Sequence, residues 1–321
     1  MAKQRKSDQG QPVSPEGTPE ESSSSSGSMP VWPEYIKTAN PSQVKKRFSN
    51  EVDAIVANYP GFEEKYCLLF LMNSVGSIGA FDLDQIFDVL PVLNPDRKKS
   101  ILLTLLSTGG AIESAYQVSK LCKSFTEKEF IVTIPRQAKS AATLLALGAD
   151  QIHMGSLSQL GPIDPQLGGL PALGVSQALK TIAELAQTYP GSSDMFARYL
   201  RLTLTVEQIG YCERIGESAV QYATRLLETK PDISRNPETI AQELVYEYKH
   251  HGFVIDSDEA KKHLGTNWVI SDSEEIQFAE EIYRLYDLVT LFLNIERSKY
   301  LWWVGALKDK NLIFLDMPKS G

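Results

Sequence analysis

The sequence predicts an α/β protein, a mainly parallel sheet flanked by helices, with a helical C-terminal extension. Three observations carry that expectation. A continuously apolar run of strand length, "YCLLFLMN", and a second largely aliphatic one, "KSILLTLLS", have the composition of strands buried on both faces. Helical spacing fills the stretches between such runs, in units of roughly thirty to forty residues, as crossover connections between parallel strands require. Beyond Gly174 the apolar periodicity is almost wholly helical.

Residues 1–29 are Ser, Pro, Glu and Gly with almost no aliphatics, so they are read as a disordered tail that cannot repay its ordering entropy. Residues 30–60 form a helical arm, an extended lead and then a helix from near Ser42 behind Pro41. Residues 61–190 carry the core. In it, "YCLLFLMN" is a strand, "FDLDQIFDVLPVL" a helix, "KSILLTLLS" a strand and "AIESAYQVSKLCKSF" a helix. The strand "FIVTIP", the small-residue helix "SAATLLALGA" and the short strand "DQIHMG" follow. Residues 191–321 are assigned to a helical extension for subunit contacts and a lid. They end in an aromatic tail whose Trp302 and Trp303 pack on the core or meet a partner or a peripheral membrane surface.

Composition narrows the function. A net charge of −8 argues against nucleic acid as a main partner. Cys67, Cys122 and Cys212 cannot all pair and lack metal-ligand spacing, which fits structural thiols in a reducing compartment. No apolar run approaches the ~20 residues of a membrane span or a signal peptide's pattern, so the expected location is the cytoplasm. Without H-E-x-x-H, paired C-x-x-C or a phosphate-binding G-x-x-x-x-G-K-[ST], neither metal nor cofactor is expected.

The chemistry gathers at two turns. In "LLSTGGAIESAYQVSKLC" a buried strand ends at Gly109-Gly110, where bare backbone approaches closely whatever lies opposite. In "IPRQAKSAATLLALGAD" the next strand ends and Ser140 opens a helix, either as an ordinary N-cap or as a hydroxyl beside free backbone N–H donors. Adjacent parallel strands bring the turns together, so that the amides of Gly110 and Ala141 face one carbonyl oxygen.

The motifs "STGG", "AKSAATLLALGAD" and "SQLGPIDPQ" resemble the serine dehydrogenase proteinase group of the Clp-protease-like superfamily, which includes signal peptide peptidase A. The resemblance is good over residues 67–167 and thinner through "HGFVIDSDEAKKHLG". It implies a ClpP/crotonase-like fold of repeated β-β-α and βα units and a homo-oligomer cleaving peptide or protein substrates. Ser140 would be the nucleophile, and Gly109, Gly110 and Ala141 would form the oxyanion hole.

The base is not settled by the resemblance. Asp164, 24 residues after Ser140, stands where the Clp proteolytic subunit has a His; it either orients the base or caps its turn. Membrane-associated relatives use a Lys about forty residues on, which points to Lys180 as base. Lys139 and His251 are alternative bases, with His250 beside the latter, and His153 reads as packed. Two rival readings are a catalytically weak scaffold of the same fold and a crotonase-like acyl-CoA enzyme.

Overall fold

The computed structural model describes residues 30–167, 170–233, 235–307 and 312–318. The tail reading for residues 1–29 lies outside the described residues. In chain order the helices are α1 (Trp32–Thr38), α2 (Pro41–Ala57), α3 (Phe62–Lys65), α4 (Ala80–Leu93), α5 (Ile112–Ser124) and α6 (Ala141–Leu147), then α7 (Ala172–Thr188), α8 (Ser193–Thr203), α9 (Val206–Leu227), α10 (Pro237–Gln242), α11 (Ser257–Leu264) and α12 (Glu274–Arg297). The strands are β1 (Tyr66–Asn73), β2 (Ser100–Ser107), β3 (Phe130–Ile134), β4 (Gln137–Ala138), β5 (Gln151–Met154) and β6 (Gln159–Leu160). After these come β7 (Gln166–Leu167), β8 (Leu170–Pro171), β9 (Val269–Ile270), β10 (Lys299–Gly305) and β11 (Leu312–Asp316).

The main sheet runs β11-β10-β1-β2-β3-β5-β9, and β1, β2, β3, β5 and β9 are mutually parallel. Its strands are apolar on both faces because each face meets a layer of helices. Cys67, Leu69 and Leu71 of β1 join Ile101, Leu103 and Leu105 of β2 in one core, with α4, α5 and α6. The alternate residues, Tyr66, Phe70 and Met72 with Leu102 and Leu106, join the other core with α2 and α12. This period of two is the strand geometry itself. The capping box of Asn40 with Gln43 starts α2, one residue earlier than the Ser42 expectation.

The aromatic end of the C-terminal region takes the packing alternative and adds two strands to the expected helices. Most of the region is helical, but the aromatic tail is not an appendage. β10 pairs antiparallel with β1 and β11 antiparallel with β10, so the tail extends the sheet at its edge. Trp303 stacks on Phe70 with ring centroids 3.9 Å apart and is buried, while Trp302 donates its indole N–H to Asp82 at 2.9 Å. The two indoles point to opposite faces of one strand, so their adjacency reflects strand alternation. Cys67, Cys122 and Cys212 are buried and unpaired. No helix among the described residues is long and apolar enough to cross a membrane.

Candidate active site

One short row of backbone pairing assembles the site. Ser107 at the end of β2 pairs with Ala138 of β4, Ala138 pairs with Leu160 of β6, and Leu160 bridges Ile255 in the antiparallel sense. Two residues beyond Ser107 lies Gly109, and two beyond Ala138 lies Ser140. Asp164 is four residues past Leu160. His251 is four residues before Ile255, on the same side, because that bridge is antiparallel. The pairing register alone therefore delivers Gly109, Ser140, Asp164 and His251 to one end of the row.

Backbone bonds fix each turn. Lys139 N–H donates to the Ser107 carbonyl at 3.0 Å, which ties the serine turn to the glycine turn. A Cβ on Gly109 would lie 2.8 Å from the Cβ of Ser140, so the glycine is there because the serine is. The Gly109 N–H is already committed to Ser107 Oγ at 3.1 Å, leaving Gly109 to supply room and not a free donor. Gly110 bridges Ile78 through bonds of its neighbours: Ile78 N–H donates to the Gly109 carbonyl at 2.8 Å and Ala111 N–H to the Ile78 carbonyl at 2.9 Å. The N–H of Gly110 itself stays outside this ladder. Thr143, fully buried on α6, has its hydroxyl 2.8 Å from the carbonyls of both Ala138 and Gly161, which joins the helix that Ser140 opens to the Asp164 turn.

Ser140 is not an ordinary helix cap. Its backbone has φ 53° and ψ −120°, a conformation that costs a non-glycine residue ~1–3 kcal/mol. Its hydroxyl makes no capping hydrogen bond to the helix, which forfeits the benefit that makes serine common at helix starts. Strain without capping is the pattern of a serine held up at a sharp strand-to-helix turn for another purpose. The hydroxyl faces a cleft of about 790 Å³, lined by Ser77, Ile78, the Thr108–Glu113 turn, Pro165, Tyr211, Ile215 and His251.

Asp164 and His251 meet beside it. The His251 Nδ1 is 3.7 Å from Asp164 Oδ2, with the carboxylate buried and the imidazole about one quarter exposed. At that separation the two groups are just beyond bonding distance, and among the described residues His251 Nδ1 and the other carboxylate oxygen, Asp164 Oδ1, are each buried without a hydrogen-bond partner. Such looseness is usual before substrate closes a site.

The remaining sequence candidates fall elsewhere. Lys180 is exposed on α7 and lines no part of the cleft. Its neighbours Val175 and Leu179 pack toward Cys212 and Ile215 of α9, and a residue next to a packed one on a helix turns about 100° away from it. Lys139 points away from the cleft, its stem against Gly161 and its Nζ donating to the Gly252 carbonyl at 3.1 Å. Burial lowers its pKa from the usual lysine value. His250 is exposed and accepts the Gly252 N–H on Nδ1 at 3.0 Å. His153 is buried, its Nδ1 2.6 Å from Ser273 Oγ, and burial lowers its pKa. Sequence reasoning missed the α9 wall of the cleft, Tyr211 and Ile215, because nothing local marks which helix covers a distant turn. Among the described residues no cluster of three or more His, Cys, Asp or Glu side chains is placed to hold a metal ion.

Residues 81–186 match the ClpP-like SDH-type serine proteinase family. That segment is about one third of the chain and holds the glycine turn, Ser140 and Asp164, while His251 lies outside it. Two curated relatives match short stretches of the chain. The uncharacterized protein MJ0137 of Methanocaldococcus jannaschii is 37% identical over 84 residues, 26% of this chain and 29% of its own. A second uncharacterized protein of that organism, MJ1495, is 34% identical over 76 residues, 24% and 26% of the respective chains. The chain thus matches less than a third of the length of either relative. Similar solved structures include a mutant of the 1510-N membrane-bound stomatin-specific protease, with 16% identity and TM-score 0.41 over 70% of this chain and 86% of that one. ClpP1 from Listeria monocytogenes is another, with 15% identity and TM-score 0.40 over 65% and 94%.

Proposed function

We propose that this protein is a serine peptidase acting through Ser140, His251 and Asp164. The observation that carries the reading is the strained, uncapped Ser140 in a cleft that His251 also lines, with the His251 Nδ1 3.7 Å from the buried Asp164 carboxylate. A serine nucleophile needs a base to remove its proton and a third group to orient that base.

His251 takes the hydroxyl proton as Ser140 Oγ attacks the scissile carbonyl carbon. The negative charge that develops on the carbonyl oxygen is met by the N–H groups of Gly110 and Ala141, each such donor contributing about 10²–10³ in rate. The intermediate collapses, the C–N bond breaks, and His251 returns the proton to the leaving amine. Water, deprotonated by the same imidazole, then attacks the acyl-serine ester and releases the acid. Asp164, next to Nδ1, keeps the proton on that nitrogen and steadies the imidazolium while it exists.

The same reading has the chain assemble with copies of itself. Helix α8 buries none of its residues, and Met195, Tyr199 and Leu202, spaced along one face, are each at least 60% exposed.

A fluorophosphonate probe tests the proposal. The expected result is one stable adduct, mapped to Ser140 by peptide mass, that disappears in Ser140→Ala while the circular dichroism spectrum is unchanged. Lys180→Ala should label at the wild-type rate, since its side chain is in solvent away from the cleft. Absence of an adduct on folded wild-type protein would remove the peptidase reading, and loss of labelling in Lys180→Ala alone would transfer the base role to that lysine.

A further inference from the structure

We propose that Lys139 is a positioning residue that locks the His251 loop onto the nucleophile turn. The inference rests on the peptidase reading above and goes one step beyond it.

The side chain starts at the residue before Ser140. Its stem crosses the turn that leads to Asp164, because a Cβ built on Gly161 would lie 2.9 Å from Lys139 Cγ and 3.0 Å from its Cβ. Its Nζ ends at the carbonyl of Gly252, the residue after His251, at 3.1 Å. One side chain thus spans the three segments that carry the nucleophile, the carboxylate and the imidazole.

The His251 loop needs such a tie. On its C-terminal side it is held by the single Leu160–Ile255 bridge, and on its N-terminal side by Tyr248, whose hydroxyl donates to Glu259 at 2.7 Å and whose ring lies against Phe253. Between these anchors Gly252, Phe253 and Val254 are exposed. An ammonium donating to a carbonyl is a charge-assisted bond, stronger than a neutral one, and the bare Gly161 gives the stem its path. Gly161 follows Leu160 of the pairing row, so any side chain there would push Lys139 off its route.

The positioning role and the base role require opposite charge states. A base must be neutral, whereas the Gly252 bond uses the protonated ammonium, and Arg replaces it in the second role but never in the first. The experiment measures steady-state peptide hydrolysis and Ser140 phosphonylation in wild type, Lys139→Met and Lys139→Arg. Lys139→Met should lower kcat by about 100-fold with KM little changed, the usual cost of a catalytic group displaced by about 1 Å. Lys139→Arg should return to within about tenfold of wild type, because its guanidinium reaches the same carbonyl. Amide hydrogen exchange at residues 251–254 should quicken in the Met variant, with β1 and β2 unaffected. If the Met variant does not fold, Lys139→Gln, a neutral and shorter donor, takes its place with the same expectations. A Met variant as active as wild type would overturn the proposal, as would an Arg variant as inactive as Met, which would make Lys139 the base. Failure of wild-type Ser140 to label would instead indict the peptidase reading itself.

Discussion

His251→Ala is expected to lower the rate of peptide hydrolysis by on the order of 10⁵-fold, close to the effect of Ser140→Ala, because a nucleophile and its base act as one unit and losing either loses both. Asp164→Asn should cost less, about 10⁴-fold, since the imidazole stays in place but is no longer held in the right tautomer. The order of these effects is the informative part. Were Asp164 only a turn cap, its replacement would lower the melting temperature and leave kcat near wild type. The double variant His251→Ala with Asp164→Asn should be no slower than His251→Ala alone, as the carboxylate acts through the imidazole. Steady-state rates of the four proteins, with melting curves to exclude unfolding, check the whole set.

Gly110→Ala is expected to act on stability and rate together. The backbone there has φ 149°, and an added Cβ would fall 2.3 Å from the Ile78 carbonyl oxygen and 2.4 Å from its nitrogen. Those atoms are backbone held in a bridge, so they cannot yield as a side-chain end would. The substitution must push the glycine turn away from residue 78, at a cost of about 1–3 kcal/mol in strain. It also moves the one N–H that the bridge leaves free, and losing an oxyanion donor lowers kcat by about 10²–10³. Gly191→Ala, where the added methyl meets nothing within 4 Å, serves as the control and should change neither quantity. Urea unfolding and kcat measured on both variants decide the matter; an undisturbed kcat in Gly110→Ala would remove Gly110 from the oxyanion hole.

The central strands are legible in the sequence because burial on both faces leaves a run that is almost wholly apolar, and 66–73, 100–107 and 130–134 are such runs, interrupted inside only by Thr104 and Thr133. Other elements left no such trace. β4 and β6 are two residues long, too short to show a period, yet they bring the serine turn to the glycine turn and the Asp164 turn to both. β10 carries adjacent tryptophans, whose sequence suits either packing on the core or contact with a partner, and the sheet edge beside β1 explains why one faces each way. Ser140 was visible as a residue but not as a strained one, since a helix-opening serine looks the same whether or not its hydroxyl caps. His251 was the hardest to place. It lies 111 residues after Ser140 on an irregular loop, and its partnership with Asp164 is set by a single bridge between Leu160 and Ile255, a long-range contact with no local signature. Counting forty residues from the serine reaches Lys180, exposed on α7.

A crystal structure of the phosphonylated protein measures the geometry at the centre of this account. It should show phosphorus bonded to Ser140 Oγ, one phosphoryl oxygen at about 2.7–3.1 Å from the N–H groups of both Gly110 and Ala141, and the His251 ring between the adduct and Asp164. An adduct on another residue, or a phosphoryl oxygen turned to solvent with the two amides unengaged, would contradict it.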